Sequence, residues 1–332
     1  MGLNQIKVEL IRSWGGDDNI AHAAWASSYD KSKADAKTPE DVRKVVEGIV
    51  RNSHGTPKES VWVEFFITCP IFCERQLDKY RMTLQHQDIQ VEMLERPMGG
   101  LNITQNELSG RYRTIPDRGY DMPTDVETIC KKAYSTADYY NWKEDWQMFI
   151  SDQHKEYSLR LQILKMAEKS GKITNAEYKR AREVWRGLLG THTLTDMRMT
   201  MNLNAFEHIV NQRLDPASQL ETRVVAALML DAMLAAGVAP TALSEMAIKN
   251  NWLTWYMEVS EALNKTVVDN SSEKDAVSKL SDAFWLKVLE DSTQLGDGIP
   301  NPDLRQVLTK GGMAPTVIDA YLVGRMWFGR RD

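Results

Sequence analysis

The stretch "NELSGRY", residues 106 to 112, packs a carboxylate (Glu107), a hydroxyl (Ser109), a glycine (Gly110) and a guanidinium (Arg111) into seven positions. On an extended backbone alternate side chains point the same way, so Glu107, Ser109 and Arg111 would line one wall of a polar pocket. Gly110 would let a ligand approach the main chain, and the planar fork of Arg111 suits a phosphate or a carboxylate. The chemistry on offer is recognition of an anionic ligand; a surface turn carrying a solvated charge pair would use the same residue types.

Elements must hold such a wall in place. "IKVELI" at 6 to 11 alternates like a half-buried strand, and "SVWVEFFIT" at 60 to 68 is rich in β-branched and aromatic residues. Between them a helix opens at Thr38 as N-cap, with Pro39 in its first position and acidic residues in its first turn. A further helix over 69 to 82 restarts after Pro70 and places Arg75, Gln76, Lys79 and Arg81 within three turns. The next stretch, to about residue 105, has no single period and contains Pro97, Gly99 and Gly100, which predicts a long excursion or lid. Helices are expected at 153 to 169, 174 to about 189 with the capping box "TNAE", 204 to 212, and 216 to 236 ended by Gly237 and Pro240.

Bulk properties exclude several functions. The 332 residues suffice for one large domain or two ordinary ones, and a net charge of -5 without a basic run argues against general nucleic-acid binding. The apolar run "VVAALMLDAMLAAGVA" at 224 to 239 is interrupted by Asp231 and too short for a bilayer, so a buried helix and no membrane contact are expected. The start lacks a signal-peptide pattern, which predicts a cytoplasmic protein. Three cysteines make neither a disulfide framework nor a zinc site, so no metal is expected. Cys69 and Cys73 could be a reactive pair four residues apart, although burial of two small side chains is the commoner reason for that spacing. No dinucleotide fingerprint, phosphate loop, serine elbow or metalloprotease helix is present.

Taken with its neighbours, "NELSGRY" resembles the second half of the signature of flavin-dependent thymidylate synthases, R-H-R followed by N-E-x-S-x-R-Y. Upstream, "HGTPKE" at 54 to 59 is similar to that family's H-x-T/S-x-x-E segment, and "CPIFCERQ" at 69 to 76 to its P-I-F-x-x-R-Q run. Downstream, "NLNAFEHIVNQRLDPASQLE" at 202 to 221 resembles the N-x-R, H/N-F, R, A-Q-x-E segment, and "DDNIAHAAWASSYDK" the N-terminal helix. The blocks occur in family order over roughly residues 1 to 240.

The resemblance implies an α+β fold: a twisted, largely antiparallel sheet packed by helices in residues 1 to 240, with an insertion at about 82 to 105; residues 241 to 332 lie beyond it, and the amphipathic segments "SSEKDAVSKLSDAFWLKVLED" and "APTVIDAYLVGRMWFGRR" predict a helical extension there. The resemblance implies methylene transfer from methylenetetrahydrofolate to C5 of dUMP, with FAD as carrier and NADPH as reductant. It also implies a homotetramer with active sites between subunits. Gln76, Lys79, Glu107, Ser109, Gly110, Arg111 and, less securely matched, Arg182 fall on nucleotide-site positions. Arg213 matches the arginine that favours the ionised uracil and activates C5. His54, Thr56, Glu59, Lys79, Tyr80, Arg81, Glu107, Asn202, Asn204 and His208 fall on FAD positions.

The chain also departs from the family pattern. Lys79, Tyr80 and Arg81 stand where the family has R-H-R, and Asn204 replaces the arginine of N-x-R. Twenty-four residues separate Arg81 from Asn106, far more than is usual. These changes leave two further readings open: a related enzyme that modifies C5 differently, for example by hydroxymethylation, and a non-catalytic nucleotide-binding subunit.

Overall fold

The alternation in Lys7–Trp14 (β1) and Trp62–Pro70 (β2) makes two neighbouring strands, joined by Ile103–Glu107 (β3) and Leu194–Asn202 (β4). In the computed structural model, which describes residues 3–28, 30–86, 103–108, 114–118 and 124–266, these form one antiparallel sheet of order β1-β2-β4-β3. Around it lie α1 (Asp17–Trp25), α2 (Lys31–Asp35), α3 (Pro39–Arg51), α4 (Ile71–His86), α5 (Thr124–Ala133), α6 (Thr136–Lys169), α7 (Asn175–Trp185), α8 (Leu203–Arg213), α9 (Leu220–Ala235), α10 (Pro240–Lys249) and α11 (Trp252–Thr266).

One sheet face is apolar. Val63, Phe65, Ile67 and Cys69 of β2 and Met197, Met199 and Met201 of β4 are buried in one continuous core with α8 and α9. Phe65 stacks on Phe206 of α8 with ring centres 6.2 Å apart, and Phe206 meets Trp252 of α11 edge-on at 6.3 Å. The described part of 241–332 thus shares the core of the sheet. The opposite face carries charge: buried Glu64 accepts from Arg12 at 2.5 Å and from Arg198 at 3.0 Å, and Asp196 takes both guanidinium nitrogens of Arg118 at 2.6 Å. A bulge between Leu10 and Arg12 turns Arg12 onto that face.

Several boundaries differ from those expected. The helix expected from 153 begins at Thr136, where Ser135 caps it; Tyr140, Met148 and Phe149 on its first turns are exposed, so no apolar stripe announces them. The helix expected from 216 begins at Leu220, because Asp215 bonds the amides of Ala217 and Ser218 and holds a turn there. Helix α7 ends at Trp185 and continues as a 3-10 turn over 186–188. The excursion expected to about 105 contains the end of α4 and the first residues of β3; the remainder, 87–102, lies outside the described residues. Cys69 and Cys73 are packing groups, their thiols held far above the usual range by burial. The amphipathic segments expected beyond 270 also lie outside the described residues.

Asp231 is buried on α9, where it accepts a hydrogen bond from the Tyr256 hydroxyl at 2.9 Å. Burial raises its carboxyl from 3.8 to about 7. The folded chain therefore holds a proton that the unfolded chain has lost, and stability falls as pH rises from about 4 to about 7. Asp231→Asn removes this penalty. Its melting temperature should exceed that of the parent at pH 8, with a gain on the order of 2 kcal/mol, and the difference should shrink toward pH 4.5 in parallel thermal melts.

Candidate active site

Two groups of residues meet along α8. At its start, Asn202 caps the helix by accepting from the Ala205 amide at 2.8 Å, and Leu203 donates to the carbonyl of Val61 at 2.9 Å. This brings α8 beside the 3-10 turn of Thr56–Ser60. Lys58 of that turn forms a buried ion pair with Glu207, which also accepts from Asn250 at 3.0 Å. The Asn204 side chain packs on Gly55, where a Cβ would come within 3.1 Å of its oxygen. His54, Thr56 and His208 are exposed, and Glu59 and Asn204 half-buried, on the rim made by these two segments. The expected cofactor residues of both segments thus come together.

The second group sits at the other end of α8, roughly 16 Å away at 1.5 Å per residue. Arg213 donates to the Gln76 side chain at 3.4 Å and to its main-chain carbonyl at 3.2 Å. Thr222 also donates to that side-chain oxygen at 3.2 Å, while Gln76 donates to Gln219 at 2.9 Å. Gln76, expected to meet nucleotide, and Arg213, expected to activate it, are therefore held together by α4, α8 and α9. Gln219 and Thr222 were not singled out from sequence, although Gln219 belongs to the A-Q-x-E match.

Glu107 lies at the end of β3, where it accepts from Thr195 at 2.8 Å. The amide of Leu108 then bonds the carbonyl of Asp196 at 2.8 Å, so the chain leaves β3 still extended. Ser109, Gly110 and Arg111 lie outside the described residues; Lys79, Tyr80 and Arg81 lie on α4. Arg182 is buried on α7 over the ring of Tyr178, at 5.6 Å, on the helix pair α6–α7. That pair reaches the site through the loop that follows it, where Thr191 and Thr193 accept from the amides of Phe72 and Ile71 at the start of α4.

A family model described as "Thymidylate synthase complementing protein" matches residues 9–241. The chain belongs to that family. Among the relatives of this thymidylate synthase complementing family member are flavin-dependent thymidylate synthases from Kosmotoga olearia, 27% identical over 62% of this chain and 76% of the relative, and Streptomyces coelicolor, 23% identical over 63% and 76%. The fold is similar to a solved structure of the UMP/dUMP methylase PolB from Streptomyces cacaoi bound with 5-Br dUMP. The TM-score is 0.53 at 22% identity, covering 73% of this chain and 95% of that one.

The rim at the start of α8 suits a flavin. It offers hydroxyl, imidazole and amide groups, and the buried Nδ2 of Asn202 has no hydrogen-bond partner among the described residues. No metal-ligating cluster occurs among the described residues, and no helix among them is long and apolar enough to cross a membrane.

The Lys58–Glu207 pair joins the two rim segments. Lys58→Ala would leave Glu207 buried beside Lys249, whose Nζ is 3.8 Å away. Urea unfolding should show a loss of roughly 3 kcal/mol for Lys58→Ala, and the double change Lys58→Met, Glu207→Leu should recover most of it.

Proposed function

We propose that the protein is a flavin-dependent thymidylate synthase that converts dUMP to dTMP, with methylenetetrahydrofolate as carbon donor and NADPH as reductant. The observation that carries this is Arg213, fixed by Gln76 at one end of the helix whose other end presents the Asn202, Asn204 and His208 rim. A guanidinium held against a uracil ring stabilises negative charge on N3 and O2, which makes C5 the nucleophile. Gln76 keeps the fork oriented, so the charge needs no reorganisation at the moment of reaction. Ser109, Gly110 and Arg111, with Lys79 and Arg182, are assigned to the nucleotide and its phosphate. His54, Thr56, Glu59, Tyr80, Arg81, Asn202, Asn204 and His208 would hold FAD, with Glu107 and Lys79 between the two ligands. When bound, FAD supplies the reducing capacity that converts the transferred one-carbon unit to a methyl group.

We assign the catalytic domain to residues 1 to 240 and treat 241 to 332 as an extension whose first helices, α10 and α11, brace α8. A cytoplasmic homotetramer with sites between subunits fits the exposure of His54, Thr56 and His208, which a second subunit would cover.

The experiment is single-turnover mass analysis with FAD-loaded protein, methylenetetrahydrofolate, NADPH and either dUMP or UMP; both nucleotides are included because PolB acts on both. The parent protein should give dTMP. Arg213→Ala should keep the flavin absorption and lose about 100- to 1,000-fold in rate. A product of another mass would transfer the assignment to a different C5 modification, and unchanged dTMP formation by Arg213→Ala would remove the role given to this residue.

A further inference from the structure

The first turn of α9 holds both ends of the Gln76 side-chain amide. Gln219, the N-cap of α9, accepts from its nitrogen at 2.9 Å, and Thr222 donates to its oxygen at 3.2 Å. The Thr222 amide bonds the Gln219 carbonyl at 3.0 Å, so the two groups keep a fixed spacing. Arg213 donates to the same Gln76 oxygen at 3.4 Å and to the Gln76 main-chain carbonyl at 3.2 Å. An amide oxygen has two lone pairs, and here a neutral hydroxyl and a guanidinium share them. Gln219 is exposed and Gln76 half-buried, whereas Thr222 has no exposed surface, so its hydroxyl is the fixed end of the contact. A second acceptor, the Cys73 sulfur, lies 3.7 Å from that hydroxyl. Sulfur is the weaker acceptor and burial keeps the thiol protonated, so the hydroxyl hydrogen goes to Gln76.

We propose that Thr222 is a positioning residue for the reaction: its hydroxyl holds the Gln76 amide oxygen in place, and through that oxygen it aims the Arg213 guanidinium. Thr222 lies just past the motif block at 202 to 221 and was not singled out from sequence. Without the hydroxyl, the oxygen keeps Arg213 as its donor, and the long Gln76 side chain follows the guanidinium instead of anchoring it. Gln219 does not substitute, because it holds the amide by its nitrogen and its exposed side chain can move with Gln76. The contact of Arg213 with the Gln76 main-chain carbonyl is untouched by the loss, so the guanidinium stays in the site but is less well aimed. It must then reorient as negative charge develops on the uracil ring, a cost that a preorganised donor avoids.

This assignment rests on reading Gln76 and Arg213 as the nucleotide site, and the test separates the two. Steady-state turnover of dUMP by the FAD-loaded protein is compared for the parent, Thr222→Val, Thr222→Ser and Arg213→Ala. Valine keeps the shape of threonine without the hydroxyl, and serine keeps the hydroxyl without the methyl. Thr222→Val should lose roughly three- to tenfold in kcat, with KM for dUMP within about twofold of the parent, and Thr222→Ser should recover most of the loss. Parent-like kcat in Thr222→Val, with Arg213→Ala impaired, overturns the role of Thr222 alone. So does an equal loss in Thr222→Val and Thr222→Ser, which marks an effect of packing. Parent-like turnover by Arg213→Ala, or a parent that does not turn over dUMP, overturns the site reading and this assignment with it. If Thr222→Val fails to fold, Thr222→Ala carries the same comparison against Thr222→Ser.

Discussion

A charge pair in the core governs how this molecule is put together. Lys58 and Glu207 are both almost wholly buried and form an ion pair in the core. Lys58 belongs to the turn carrying His54, Thr56 and Glu59, and Glu207 to the helix carrying Asn202, Asn204 and His208. The pair therefore sets the register between the two segments whose rim is proposed to hold the cofactor. It also sets the roll of α8: with Glu207 facing Lys58, Phe206 lies on Phe65 of the sheet and Trp252, while Asn211 receives the Trp252 indole N–H at 2.5 Å. Once α8 is fixed at its start and along its length, Arg213 at its end meets Gln76 of α4. A helix is rigid over three turns, so the contact at the start of α8 positions Arg213 at its end.

The sheet divides its labour between two faces. The apolar face of β2 and β4 seats α8 and α9; the other face is occupied by the Arg12–Glu64–Arg198 and Thr68–Asp196–Arg118 contacts. Among the described residues, edge strand β3 pairs only with β4, through five residues. Such a strand asks little of what precedes it, and lengthening the connection adds closure entropy slowly. That explains how the segment between Arg81 and Asn106 can be long while Glu107 still arrives beside Thr195.

What could be read from the residues follows from which forces are local. Thr38 and Thr174 mark helix starts because a cap and its partner lie three residues apart, and both capping boxes form. Strand β1 was legible from its alternation and β2 from its β-branched and aromatic residues. β3 was not, since Thr104, Gln105 and Asn106 hide no apolar stripe and become a strand only by pairing with Thr200, Met199 and Arg198 of β4. The first half of α6 was missed for a related reason: exposed Tyr140, Met148 and Phe149 interrupt the apolar face begun by buried Tyr139. In the site, the motif residues were found because their types and order are distinctive. Gln219 and Thr222 acquire meaning from Gln76, which lies far from them in the chain.

The same reasoning bears on the departures from the family pattern. Asn204 stands where the family carries an arginine, and its short amide fills the space against Gly55. Asparagine in place of arginine leaves this position without a cation. Lys58 supplies no replacement, because Glu207 neutralises it within the core. Lys79 and Arg81 on α4 then remain as the basic residues assigned to anionic groups of the cofactor. Both lie on the helix that also carries Gln76. Cofactor phosphate and nucleotide would thus be held from one helix, which makes the placement of α4 matter to both ligands.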